Sequence, residues 1–229
     1  MDPYALNLIN GVYHLDTMTF EPGHRASDMM TQIANVAYDP EATSPLFEDF
    51  LMSIFDGDQE KVDFVVRWFG YSLLGANPQE KMVIAYGRTT RNGKGTLQSV
   101  ISAMMGDYVG VASEKLIIKN SRVSDSTIQE YTAALTGKRF TSISEIPRNA
   151  QLESNFIRQI TGNDGLRICR KYKESEEISV YPHITVWTNY LPRTNDPMLF
   201  KSDRIMVLTL DHHFVDAMES KMTGKPVDL

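Results

Sequence analysis

The stretch YGRTTRNGKGTLQSV, residues 86–100, decides how the chain is read. It continues an apolar run, MVIAY at 82–86, and leads into Leu97, Val100, Ile101, Met104 and Met105, which fall on one face at helical spacing. A strand, a glycine-rich loop and a helix in that order let consecutive backbone N–H groups converge on phosphate oxygens, and the helix N-terminus adds a favourable dipole. In the common phosphate-loop pattern four residues separate the first glycine from Gly-Lys, and Ser or Thr follows directly. Here five residues separate Gly87 from Gly93, and Gly95 follows Lys94. The expected nucleotide-binding set is Asn92, Gly93, Lys94, Gly95 and Thr96, with Lys94 reaching the β- and γ-phosphates as a point charge. Gly95 has no hydroxyl, so Thr96 is the expected Mg2+ ligand, directly or through a water. Gly-Lys-Gly-Thr also occurs in small nucleotide kinases, so the loop indicates a nucleoside triphosphate and does not by itself indicate a motor.

The chain has 229 residues, 42% hydrophobic and 23% charged, enough for one sizeable core or one core with a small appendage. A lone cysteine, Cys169, excludes an internal disulfide framework. No run approaches the roughly 20 apolar residues that cross a bilayer. The opening MDPYALNLINGVYHL lacks the basic-then-apolar layout of a signal peptide. A soluble protein of the bacterial cytoplasm or a phage-infected cell, without a membrane partner, is expected. The net charge of −6 argues against a surface that coats nucleic acid, so any such contact needs a local basic patch.

Before the loop, GVYHL, MTF and EPGHR alternate apolar runs with turn formers and predict a hairpin. Val62, Val65, Val66, Phe69 and Leu73 recur at intervals of three and four, which predicts helices near 46–55 and 59–74. Ala76-Asn77-Pro78 ends that pattern, so residues 1–78 are expected to form a hairpin and a small helical region, and 79–229 the main core. Beyond the loop, STIQEYTAALTG reads as a helix and RFTSISE as a strand. Alternation of this kind predicts an α/β fold with a mostly parallel sheet covered by helices.

Two polar residues close later strands. Glu145 ends RFTSISE, 51 residues after Lys94, and hydrolysis needs a carboxylate near the γ-phosphate to orient the attacking water. Ser144, not an aspartate, precedes it. Asn189 follows the strand HITVWT, where it either touches the γ-phosphate and its water or opens the Asn-Tyr-Leu-Pro turn. His212-His213 carries no metal reading, because adjacent side chains on an extended segment point opposite ways. The twelve methionines read as gap fillers in the core.

The segments GKRFTSISE, FIRQITGNDGLRICRKYKE, HITVWTNYLPR and SDRIMVLTL, in that order between residues 137 and 210, resemble the helicase domain of phage and plasmid primase-helicases. These are superfamily 3 AAA+ motors, a group that also includes poxvirus-type primases. The upstream LNLINGVYHLDTMTFEP and FEDFLMSIFDGDQEKVDFVVRWFGYSLLG resemble the helical collar region ahead of that motor. The family's NGKGT is matched by Asn92 to Thr96, its small residue plus glutamate by Ser144-Glu145, and its TNxxP by Thr188, Asn189 and Pro192. The resemblance implies an AAA+-like P-loop NTPase core and a cofactor pair of ATP and Mg2+, with Lys94 in the catalytic set. It further implies Glu145 as catalytic acid and metal partner, and Asn189 as γ-phosphate sensor. Arg204 matches the arginine that completes the neighbouring subunit's site in family hexamers. Asp203 stands where the family often has a first arginine, which leaves Lys201 as a rival.

The segment LRICRKYKESEEISVYP alternates on both sides of a charged turn, Lys173 to Glu177, and reads as a hairpin. In family members a hairpin here lines the ring's channel and grips single-stranded DNA. Arg170, Lys171 and Lys173 are the expected backbone contacts and Tyr172 a stacking candidate, with Arg167 adding positive charge. Glu174, Glu176 and Glu177 alternatively make the hairpin a salt-bridged surface. The implied protein is an ATP-dependent helicase or translocase of a phage, plasmid or integrated-element replication system. It would act as a hexameric ring on single-stranded DNA beside a primase domain or primase partner. The rivals are a nucleotide-switched initiator or loader without motor activity and a small P-loop nucleotide kinase.

Overall fold

A computed structural model describes residues 2–119, 124–162, 166–168, 176–178, 180–215 and 217–223. Strands β1 (Ala5–Leu8), β2 (Gly11–His14) and β3 (Thr19–Pro22) form an antiparallel meander, one strand more than the expected hairpin. The third strand joins because Tyr13 and Phe20 both set their rings against Tyr38, at 5.0 and 4.7 Å. Helices α1 (Pro45–Ile54) and α2 (Gln59–Tyr71) follow close to the predicted spans. Pro45 starts α1 where its missing N–H is not needed, and the Asp58 carboxylate accepts from the Lys61 N–H to cap α2.

The rest alternates as the sequence predicts. In order come β4 (Met82–Tyr86), α3 (Lys94–Met105), β5 (Val109–Ala112), α4 (Asp125–Ala133), β6 (Phe140–Ser144) and α5 (Ser154–Thr161). Then follow β7 (Leu166–Ile168), β8 (Glu176–Ile178), β9 (His183–Thr188), α6 (Met198–Lys201), β10 (Ile205–Thr209) and α7 (Ala217–Thr223). Five of these strands make one sheet in the order β10-β4-β9-β6-β5, every neighbouring pair parallel. β4 and β9 are buried along almost their whole length, as strands covered on both faces must be, and their near-continuous apolar sequences follow from that. Leaving β4, the chain builds β5 on one side of it and ends with β10 on the other. Such a reversal opens a crevice at the carboxyl ends of the strands.

Burial runs across residue 78 without a break: Leu51, Ile54, Val65 and Trp68 share one cluster with Val83, Ala85, Leu97 and Phe140. On the other side of the sheet Met82, Ile84, Ile143, Ile157 and Ile184 form a second cluster. Val66 and Val100, expected on buried helical faces, are instead 54% and 39% exposed and line a groove between α1, α2 and α3. β7 and β8 pair antiparallel, with Leu166 opposite Ile178 and Ile168 opposite Glu176. Glu176 and Glu177 thus belong to a strand and not to the expected turn. No helix among the described residues is long and apolar enough to cross a membrane.

Two polar groups tie the N-terminal region to the sheet. The buried Arg139 guanidinium donates to the carbonyls of Ala5 and Leu73 and lies 4.6 Å from the Tyr108 ring centroid. His183, also fully buried, stands in β9 with Nδ1 3.0 Å from the Arg139 carbonyl oxygen, to which it donates, and its ring meets the edges of Trp68 and Tyr71. Burial pushes the His183 pKa down from 6.5 to about 4. The folded state therefore holds a neutral imidazole, and its contribution is complete above about pH 6.5 and lost as pH falls toward 4. Wild-type protein is expected to lose about 2 kcal/mol of stability through this group between about pH 7.5 and about pH 5. Thermal unfolding of wild type and His183→Asn across that range checks it, with a shallower acid decline expected in the variant.

Candidate functional site

Three neighbouring strands end level with one another. Tyr86 of β4 pairs with Thr188 of β9, and Ser144 of β6 pairs with Trp187. One step further, the Gly87 N–H donates to the Thr188 carbonyl at 3.1 Å and the Glu145 N–H to the Trp187 carbonyl at 3.1 Å. Gly87, Asn189 and Glu145 thus leave the sheet side by side, within about two strand spacings of roughly 4.8 Å each. An ST-turn fixes Asn189: the Tyr190 N–H donates to Thr188 Oγ1 at 3.0 Å. Glu145 has a φ of 62°, a left-handed backbone that non-glycine residues adopt rarely and that concentrates at functional positions.

The loop 87–93 returns across this edge. Asn92 is buried and donates to the Thr89 carbonyl at 2.7 Å, which closes the loop on itself. Gly93 turns the chain into α3 at a φ of 80°. A side chain at Gly93 would meet Ile54 Cγ2 at 2.4 Å, so α1 packs directly under the loop. Among the described residues no side chain caps α3, which leaves its first N–H groups facing the loop, where an anion could meet them.

Lys94 is the centre of the arrangement. Its ammonium donates to Asn189 Oδ1 at 2.7 Å, to Asn92 Oδ1 at 3.0 Å and to the Gly87 carbonyl at 3.4 Å. Withdrawal from water holds its pKa below the usual lysine value, while the nearby Glu145 charge works the other way. An ammonium held in this way gains most from a polyanion that replaces neutral acceptors with charged oxygens.

The structure brings Asn92, Gly93, Lys94, Glu145 and Asn189 together. Gly95 stands open, since a Cβ there would touch nothing within 4 Å. Thr96 lies elsewhere: it lines the groove with Phe47 and Phe50. Gln98, about 200° further round α3 from Thr96, faces β6 instead. Its amide donates to Ser142 Oγ at 2.8 Å and to Ser144 Oγ at 3.4 Å, a link that no sequence pattern announces. Arg204 is also remote from the loop. It precedes β10 beside Met82, a strand length of about 16 Å from the loop end, where its guanidinium pairs with Glu80 and donates to Thr161 Oγ1 at 2.7 Å. Lys201 is exposed at the end of α6. Arg170, Lys171, Tyr172 and Lys173 lie outside the described residues. His212 and His213 serve packing: their Nδ1 atoms lie 2.6 Å from Asp56 Oδ1 and 2.9 Å from the Thr90 carbonyl oxygen, and so pin the segment after β10 against the turn between α1 and α2 and against the loop.

Among the described residues no group of three His, Cys, Asp or Glu side chains could hold a metal. The donors present, Glu145 among them, suit a Mg2+ that arrives on phosphate oxygens and keeps most of its waters. They do not build a resident cage.

The chain belongs to the family of unknown function DUF5906, whose model matches residues 85–204, just over half of the chain. Residues 1–56 match a second family, described as D5 N terminal like. No curated protein is similar in sequence. Among solved structures, the A-form apo structure of the NrS-1 C-terminal region superposes with a TM-score of 0.56 at 14% identity, over 82% of this chain and 47% of that one. A further apo structure of the NrS-1 C-terminal region gives 0.54 at 13% identity, over 95% of this chain and 62% of that one. The chain therefore spans roughly half of the structures it resembles, and the likeness is one of fold.

Two glycines should respond oppositely to the same change. A methyl at Gly87 would lie 2.0 Å from Asn92 Nδ2 and 2.7 Å from Lys94 Nζ, whereas at Gly95 it meets open space. Gly87→Ala is expected to lower the melting temperature by several degrees and displace Lys94. Gly95→Ala should fold as wild type. Thermal melts of the two variants check this.

Proposed function

We propose that the chain is the ATP-hydrolysing motor module of a phage, plasmid or integrated-element replication protein, of the superfamily 3 AAA+ type. The observation that carries the reading is the Lys94 ammonium held between Asn92 and Asn189 at the carboxyl edge of a parallel sheet, with Glu145 just past the end of the next strand. The D5 N terminal like match over residues 1–56 and the order of motifs between 137 and 210 support the replication setting.

In this reading the N–H groups of Gly93 to Thr96 receive the phosphates, and Lys94 exchanges its two amide oxygens for β- and γ-phosphate oxygens. The exchange frees Asn189 to contact the γ-phosphate or the attacking water. Glu145 then orients that water and accepts its proton. Mg2+, when bound, neutralises charge on the β- and γ-phosphates. Gln98 holds Ser144, and through it the start of the Glu145 turn, against α3.

The transition-state cation comes from a neighbouring copy, because Arg204 sits at the opposite end of its own sheet. To act in trans Arg204 leaves Glu80 and Thr161, whereas Lys201 is already exposed. Assembly as a ring on single-stranded DNA follows from the family resemblance, with Arg170, Lys171 and Lys173 as the backbone contacts.

Steady-state ATP hydrolysis, measured over a wide protein concentration series with and without single-stranded DNA, tests the proposal. Wild-type turnover should rise with both, and Glu145→Gln should keep ATP binding while turnover falls by about a hundredfold or more. Transfer of phosphate to a nucleotide independently of DNA would identify a kinase instead. Unchanged behaviour in Glu145→Gln would identify a nucleotide switch.

A further inference from the structure

An apolar cavity of about 640 Å³ opens between α1, α2 and α3, large enough for a small organic ligand. Phe47, Phe50, Val66, Phe69, Val100 and Met104 form its walls, and Ser44 and Thr96 are its polar lining. The Phe47 and Phe50 rings are inclined at 27° to each other, with centroids 6.2 Å apart. Leu46 at its mouth is 83% exposed, Val66 54% and Val100 39%. So much apolar surface beside a polar loop calls for an occupant.

The cavity is continuous with the phosphate loop at two points. Thr96 belongs both to the first turn of α3 and to the cavity lining. Phe50 reaches the loop itself, since its Cζ lies 3.5 Å from where a Cβ on Gly93 would be. The orientation of a bound triphosphate follows from the other face of α3. Its γ end belongs beside Asn189, which Lys94 already contacts, and toward Glu145, whose charge Lys94 feels. From there the phosphates cross the N-terminus of α3, and their α end emerges on the face that carries Thr96, where the cavity begins.

We propose that this cavity is the nucleobase site: the base of the triphosphate enters from the Thr96 end and packs among Phe47, Phe50 and Val100. The inference rests on the reading of Gly93 to Thr96 as a phosphate site. Stacking on phenylalanine is tolerant of base identity, because every base presents a π-face. Ser44 and Thr96 offer few hydrogen bonds for discrimination, so ATP and GTP should bind within a few-fold of each other.

The test compares Mg-ATP with Mg-tripolyphosphate, which has the phosphates and no base, by calorimetric titration of the wild-type chain, Val100→Arg and Val66→Arg. Both substitutions place a long cation at partly exposed positions on opposite walls, outside the phosphate machinery. Wild type should prefer ATP by about tenfold or more. Each variant should lose that preference while tripolyphosphate affinity changes by about twofold or less. Equal affinities for the two ligands in wild type would overturn the nucleobase site and leave the phosphate site standing. A preference that survives both substitutions would also overturn it, as would an effect confined to sedimentation behaviour, which would mark the groove as a contact between copies of the chain. Binding of neither ligand would sink both readings together.

Discussion

A half-buried ammonium must find oxygen, and at Lys94 it finds two side-chain amides and a loop carbonyl. That constraint ties together parts of the chain far apart in sequence. Asn189 lies 95 residues away and is delivered by β9, while Asn92 is delivered by a loop that closes on its own backbone. All these partners are neutral, and the nearest opposite charge, on Glu145, acts through space. The site therefore satisfies the lysine with neutral acceptors alone, and under the proposed function a polyphosphate improves on them. Preorganisation of this kind places a charge where an anion will bind before the anion arrives.

The rest of the fold supports that point from both sides. Beneath it, the parallel sheet fixes Gly87, Glu145 and Asn189 at one height, because parallel pairing between β4, β9 and β6 leaves no freedom of register. Beside it, the α1 side chain Ile54 presses on Gly93, and the segment carrying His212 and His213 covers the outer turn of the loop. Arg139 matters at longer range. By donating to carbonyls of the meander and of the α2 end, it keeps the N-terminal elements seated on the sheet.

Much of this was legible in the sequence, for physical reasons that differ by element. β4 and α3 were readable because MVIAY is uniformly apolar and the residues after Lys94 recur at helical spacing. The third strand of the meander was not, because its pairing depends on Tyr38, outside any local pattern. Val66 and Val100 showed the limit of periodicity, which assigns a face to an apolar residue but does not say whether anything covers that face. Gly-Lys-Gly-Thr gave Thr96 a ligand's place by elimination, yet the helix turns it toward the groove and turns Gln98 toward β6. Arg204 was found by order along the chain, and only the parallel pairing of β10 with β4 shows that it stands at the far end of the sheet.

Under the proposed function the Lys94–Asn189 contact is a latch that a triphosphate opens. Crystallographic determination of the chain with a non-hydrolysable ATP analogue and Mg2+ tests it most directly. The expected result is a γ-phosphate oxygen within about 3 Å of both Lys94 Nζ and Asn189 Nδ2, with the phosphates along the N-terminus of α3 and the direct Lys94–Asn189 hydrogen bond broken. An analogue bound elsewhere, or bound with Lys94 still closed on Asn189, would contradict it.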